Sequence, residues 1–204
     1  MDKDVESVQA GPEYHFTARA RLMVLLGEQL ITDEVAAVSE LIKNAYDADA
    51  KNVKLILTSV TDPDKGMIQI IDNGNGMSKK VIIDGWLELA TTLKARTPEE
   101  KRRRSEILKR PILGEKGLGR LAVHKLGTST EIVSRARKSN KEVVLKVEWE
   151  QFEDREKYLE KVPVTVTERA PEQFITSKLG ENFPHGTMIT VTRIRNNWNE
   201  ERTC

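Results

Sequence analysis

The chain has 204 residues, with 33 Lys and Arg against 32 Asp and Glu, for a formal net charge of +1. That length suits one large domain with a real core, and the even balance excludes a global field for nucleic acid or a membrane surface. The single cysteine, Cys204, excludes an internal disulfide framework and any cysteine metal spacing, and the absence of a long apolar run or signal-peptide core predicts a soluble, cytoplasmic protein.

Residues 1–15 read as a polar, mobile arm broken by Gly11-Pro12, ahead of one domain over 16–204. A helix is expected from Thr32, as its cap, to about Ala48. Asp33 and Glu34 fall in its first turn, and Val38, Leu41, Ile42 and Ala45 recur at helical spacing. Residues 52–60 and 67–71 are β-branched and alternating enough for strands, joined through Thr61-Asp-Pro-Asp-Lys-Gly66. Ser78 is placed to cap a helix reaching about Leu89. A polar, basic stretch follows over 91–110, including Lys101-Arg-Arg-Arg104, and Pro111 closes it. A glycine-punctuated turn leads into an apolar helix at 118–126. Strands are expected at 130–136, 141–149 and 187–194, whereas the charged segment 150–179 shows no clear pattern. The polar run 198–204 brings no closing element, which suggests the N-terminal piece of a longer protein. Helices mixed with strands that lack strict βαβ alternation predict an α+β class, a sheet with helices on one face.

Four stretches carry chemistry. In the first, Glu40, Asn44 and Asp47 lie at i, i+4 and i+7 and share one face of the helix. An ordinary amphipathic helix with its wet side outward has the same pattern. The particular trio also suits magnesium, through an amide oxygen, and a carboxylate one turn earlier that orients water toward a phosphate. The second, Asp72-Asn-Gly-Asn-Gly76, follows an apolar strand. It reads either as a tight turn or as a carboxylate that accepts from an exocyclic amine, with Gly74 and Gly76 admitting close backbone approach. A calcium loop is excluded, because Gly74 stands where a ligand is needed. The third, Gly114-Glu-Lys-Gly117-Leu-Gly119, opens a helix and can present amides to phosphate, flanked by Lys116 and Arg120. Its spacing matches neither the dinucleotide fingerprint nor the Walker pattern. The fourth, His185-Gly186-Thr187, is by itself a turn. The three histidines, His15, His124 and His185, have no ligand spacing.

Together and in this order, over roughly Thr32 to Ile194, the four stretches resemble the GHKL ATPase superfamily of gyrase B, the ninety-kilodalton heat-shock chaperones, histidine kinases and MutL proteins. The look is nearest to the MutL, MORC and heat-shock-chaperone branches. The resemblance implies a two-layer sandwich of a mixed, mostly antiparallel sheet with helices on one face. It implies ATP and magnesium (Mg2+) as cofactors, Glu40 as the general base, Asn44 as the metal ligand, and Asp47 supporting the nucleotide side. Asp72 would read the adenine amine with Gly74 and Gly76, Met77 would pack near the base, and Thr187 would support the same pocket. Gly114, Lys116, Gly117, Leu118, Gly119 and Arg120 fall on the phosphate loop. Thr92 and Lys94, in Thr91-Thr92-Leu-Lys94, resemble a lid motif, with the lid itself at about 91–113.

The implied function is magnesium-dependent ATP binding with slow hydrolysis, acting as a lid and dimerisation switch for a larger protein. Partners implied are ATP and a nucleotide-dependent second copy, with no membrane and with the client or nucleic acid unspecified. The gyrase B and MutL branches use a lysine from a second domain, and residues 195–204 contain none, so tight binding with weak turnover is expected. Two other classes stay open. One is a histidine-kinase phosphotransfer module, although His15 in Tyr14-His-Phe-Thr-Ala-Arg19 lacks the usual surroundings. The other is a nucleotide-binding regulatory domain without turnover.

Overall fold

A computed structural model describes residues 13–89, 104–114, 119–174, 183–196 and 198. The expected arm over 1–15 and lid over 91–113 therefore fall largely outside the described residues, as do Thr92, Lys94, Lys116, Gly117 and Leu118.

Among the described residues six strands form one sheet: β1 Val53–Thr58, β2 Met67–Asp72, β3 Gly127–Arg135, β4 Glu142–Glu148, β5 Thr165–Arg169 and β6 Gly186–Ile194. Their spatial order is β1-β2-β6-β3-β4-β5. The last strand thus inserts between an N-terminal hairpin and a three-strand meander. All five pairings are antiparallel. The α+β class holds, and the described sheet has no parallel component of the kind a mixed sheet would carry.

Alternation along the strands gives each face its own core. Ile68, Ile70, Ile132, Val143, Leu145 and Val191 join the larger cluster, together with Ala37, Val38 and Leu41 of α2 (Glu34–Asp47) and the apolar residues of α4 (Ala122–Leu126). The odd-numbered neighbours Ile71 and Val133, with Val144 and Met188, turn to the opposite face and meet Phe174 and Phe183. The helices therefore cover one face, as expected.

Several boundaries differ for local reasons. The α2 cap is Asp33, not Thr32: its carboxylate accepts the Ala36 amide at 2.7 Å, the geometry of an extended residue ahead of a helix. Ile42 is 39% exposed, so the buried stripe is Ala37, Val38, Leu41 and Ala45. Ser78 does cap a helix, α3 (Lys79–Val81), but the chain widens at once into a π-helical stretch over Ile82–Leu87 that contains Gly85. The helix expected at 118–126 is a 3-10 turn over Gly119–Leu121 followed by α4. α1 (Leu22–Leu30) and β5 were not anticipated from sequence. Among the described residues no helix is long and apolar enough to cross a membrane.

Candidate functional site

Helix α2 is the spine of the site. Its buried side sits on the sheet, which leaves Glu40, Asn44 and Asp47 half-buried along one flank. Gly119 lies against the first two: a Cβ built there would stand 3.2 Å from Glu40 Oε2 and 3.5 Å from Asn44 Nδ2. The glycine-rich loop therefore ends against the face that carries the carboxylate and the amide. Lys43 Nζ donates to Glu40 Oε1 at 2.7 Å, which leaves Oε2 as the oxygen nearer Gly119.

One turn on, Asp47 is committed to the same loop. Its two oxygens accept the backbone amides of Leu113 and Gly114, each at 2.8 Å. Asp47 thus positions the start of the loop. Arg120, at its end, is 9% exposed and its Nη1 donates to the Glu88 carbonyl at 2.9 Å.

The C-terminus of α2 also holds the loop that follows β2. The Ala48 carbonyl accepts the Asn75 amide at 2.7 Å, and a Cβ on Gly74 would stand 2.7 Å from that same oxygen. Asn73 Oδ1 accepts the amides of Lys51 and Asn52 at 2.9 and 2.8 Å. Gly76 has φ +63°, and a Cβ there would fall 1.9 Å from the Arg135 carbonyl oxygen, so only glycine fits. His185 Nδ1 lies 2.6 Å from the Gly74 carbonyl oxygen, tying the fourth stretch to the second.

Strand order sets the end of the site that carries Asp72. Asp72, Thr187 and Ser134 stand side by side on β2, β6 and β3, because Thr187 pairs with both Asp72 and Ser134. Counting by twos from Ile70, Ile189 and Ile132 places all three on the helix-covered face. Asp72 is 6% exposed, and its Oδ1 accepts the Gly74 amide at 2.7 Å. Burial raises its carboxyl to about 6, against the lowering pull of hydrogen bonds from the Gly74 and Thr187 amides. Ser134 Oγ accepts the Met77 amide at 2.8 Å and lies 2.9 Å from Thr187 Oγ1. Met77 is half-buried and packs on the main core.

Two residues of this arrangement escaped the sequence reading. Ser134 sits in an ordinary-looking strand. Asp49 ends the Asp47-Ala-Asp49 run; it is 3% exposed and adopts φ +62°. It accepts the amides of Ile107 at 2.8 Å and Leu108 at 3.0 Å, and Asn75 Nδ2 at 3.3 Å. Burial alone would raise its carboxyl, but hydrogen bonds from Ser105, the Ile107 and Leu108 amides and Asn75 outweigh it and hold the group at about 2. Arg110 adds to this contact: it stacks over Tyr46 at 4.7 Å, and its Nη1 donates to the Ala50 carbonyl. The described end of the basic segment, residues 104–114, is thus fastened to the end of α2.

Among the described residues no cluster of three or more His, Cys, Asp or Glu side chains is arranged to hold a metal. A cation here would have to share its ligands with a substrate's oxygens, which is how magnesium is commonly bound. Asn44, whose side-chain amide lies beside Gly119, carries an oxygen of the kind that chemistry uses.

A 51-residue stretch, 25% of the chain, is 41% identical to the DNA mismatch repair protein MutL of Bacteroides fragilis (strain YCH46) and spans 8% of that protein's length. A crystal structure of the N-terminal domain of a DNA repair protein superposes with a TM-score of 0.49 and 18% identity, covering 85% of this chain and 39% of that one. The family model described as "Histidine kinase-, DNA gyrase B-, and HSP90-like ATPase" matches residues 32–187, an interval that runs from the start of α2 to Thr187 and contains every element of the site. The chain belongs to this family of GHKL ATPases.

Proposed function

We propose that the protein binds ATP with magnesium and hydrolyses it slowly, using the cycle as a conformational switch. The observation that carries the reading is that two glycine loops meet the motif on α2: one sets Gly119 against Glu40 and Asn44 and Gly114 on Asp47, and the other sets the Gly74 loop on Ala48.

In this account the adenine amine donates to Asp72, with Thr187 and Met77 beside it and Gly74 and Gly76 allowing backbone approach. Amides of the Gly114–Gly119 loop, with Lys116, Gly117, Leu118 and Arg120, receive the phosphates. Asn44 would hold magnesium, which supplies charge neutralisation on the phosphate oxygens. Glu40 takes a proton from the attacking water, helped by being placed at the phosphate end and not the base end of the helix. Asp47 acts through the loop it anchors. Thr92 and Lys94 would serve the lid.

Phosphate release measured for wild type and Glu40→Ala tests turnover. A loss of about 100-fold or more with nucleotide binding intact is expected of a general base. Equal rates would instead favour a nucleotide-binding regulatory domain. The switch also implies a second copy as partner. Gel filtration with a non-hydrolysable ATP analogue should show a dimer that is absent without nucleotide; a protein that stays monomeric removes that part.

A further inference from the structure

Ser134 is fully buried, belongs to none of the four motifs, and contacts both walls of the base pocket. Its hydroxyl has two lone pairs and one hydrogen. The Met77 amide occupies one lone pair at 2.8 Å. The Gly186 carbonyl oxygen and Thr187 Oγ1 each lie 2.9 Å from Oγ. A carbonyl cannot donate, so the bond to Gly186 takes the serine's only hydrogen. The lone pair that remains can then only accept, and the Thr187 hydroxyl must donate to it. With its hydrogen directed inward, Thr187 Oγ1 has only lone pairs to offer elsewhere.

The neighbouring position on β2 is Asp72, another acceptor when ionised. Two adjacent acceptors match a group with two N–H bonds, or a water that bridges with both hydrogens, and they oppose a carbonyl oxygen. Gly186 contributes to keeping this geometry fixed: at φ +137°, a Cβ there would fall 1.9 Å from the Asp72 carbonyl oxygen. The backbone that carries the accepting carbonyl is therefore packed directly on β2.

We infer that Ser134 is a specificity-determining residue of the base pocket: it fixes the Thr187 hydroxyl as a hydrogen-bond acceptor and thereby selects a 6-amino purine over a 6-oxo purine. The inference rests on the adenine-nucleotide reading above. It adds a residue that need not touch the base and acts through Thr187. Without Ser134 Oγ, the Thr187 hydrogen is free to rotate toward the pocket, where it can satisfy an oxo group.

The test is calorimetric titration of wild type, Ser134→Ala, Thr187→Val and the double variant with ATP and with ITP, in magnesium. Wild type should prefer ATP, and Ser134→Ala should narrow that preference about tenfold, the scale of one buried hydrogen bond. In the Thr187→Val background the serine substitution should change the ATP-to-ITP ratio no further. An unaltered ratio in Ser134→Ala, or equal weakening of both nucleotides, overturns the inference. A further change of ratio in the double variant overturns it too. If Ser134→Ala does not fold, Ser134→Cys, nearly isosteric but a much weaker donor and acceptor, should narrow the ratio part-way, and an unaltered ratio there overturns the proposal. If wild type binds neither nucleotide, the adenine-site reading itself fails, a result distinct from binding without a role for Ser134.

Discussion

Asp72 and Asp49 stand on either side of the same loop, and their surroundings push them in opposite directions. Asp72 is buried with too few donors and rises from 3.8 to about 6; Asp49 is buried with enough donors and falls to about 2. The signs follow by linkage. Asp72 contributes stability that is complete below its unfolded value of 3.8 and is lost as pH rises through about 6, so its ionised form at neutral pH is held at a cost to the fold. Asp49 contributes stability that is present above 3.8 and is lost as pH falls through about 2. A carboxylate kept in an unfavourable state at neutral pH is what a binding site needs and a structural tie does not. With Asp72 in its proposed role, accepting from the adenine amine in its ionised form, ATP affinity in wild type should fall about tenfold between pH 7 and pH 5. Asp72→Asn, which cannot titrate, serves as the reference that carries only the nucleotide's own protonation. Calorimetry at the two pH values checks this; equal pH dependence in the two proteins would contradict it.

At the scale of elements, α2 does most of the positioning, and the sequence showed why it should: its cap region, apolar stripe and polar flank are all periodic. What the sequence did not show is that the helix end has two carboxylates with separate tasks. Asp47 was legible through its motif spacing. Asp49 was not, because a polar residue past a helix end reads as solvated until its partners at 105–108, almost sixty residues on, are known. Asp49→Asn isolates the charge, since asparagine tolerates the same left-handed backbone. It should cost about 2 kcal/mol of stability, as buried amides lose an ionised acceptor, and should accelerate amide exchange at Ile107 and Leu108. Unchanged exchange at those two amides would show that the tie carries no energy. Elsewhere the misses have similar physical roots. Leu22–Leu30 is apolar nearly throughout and has no capping side chain, so no helical period or start signal marks it. β5 is an edge strand whose exposed, charged residues look like loop.

For the whole molecule, the order of strands matters more than any one motif. Inserting β6 between β2 and β3 puts Thr187 between Asp72 and Ser134, although these residues are separated by more than fifty positions in the chain. Sequence could name the first two of the three through the family pattern. Ser134 became visible only once the register placed it beside Thr187. The helices then close over that face, with α2 delivering Glu40 and Asn44 from the other layer. The central claim is that this assembled site binds magnesium-ATP through Asp72 at its base end. Titration calorimetry of wild type and Asp72→Asn with ATP and magnesium tests it most directly. The account predicts saturable binding by wild type and at least about a tenfold loss in the variant, from the missing charge-assisted hydrogen bond. No binding by wild type, or equal affinities in the two proteins, would contradict it.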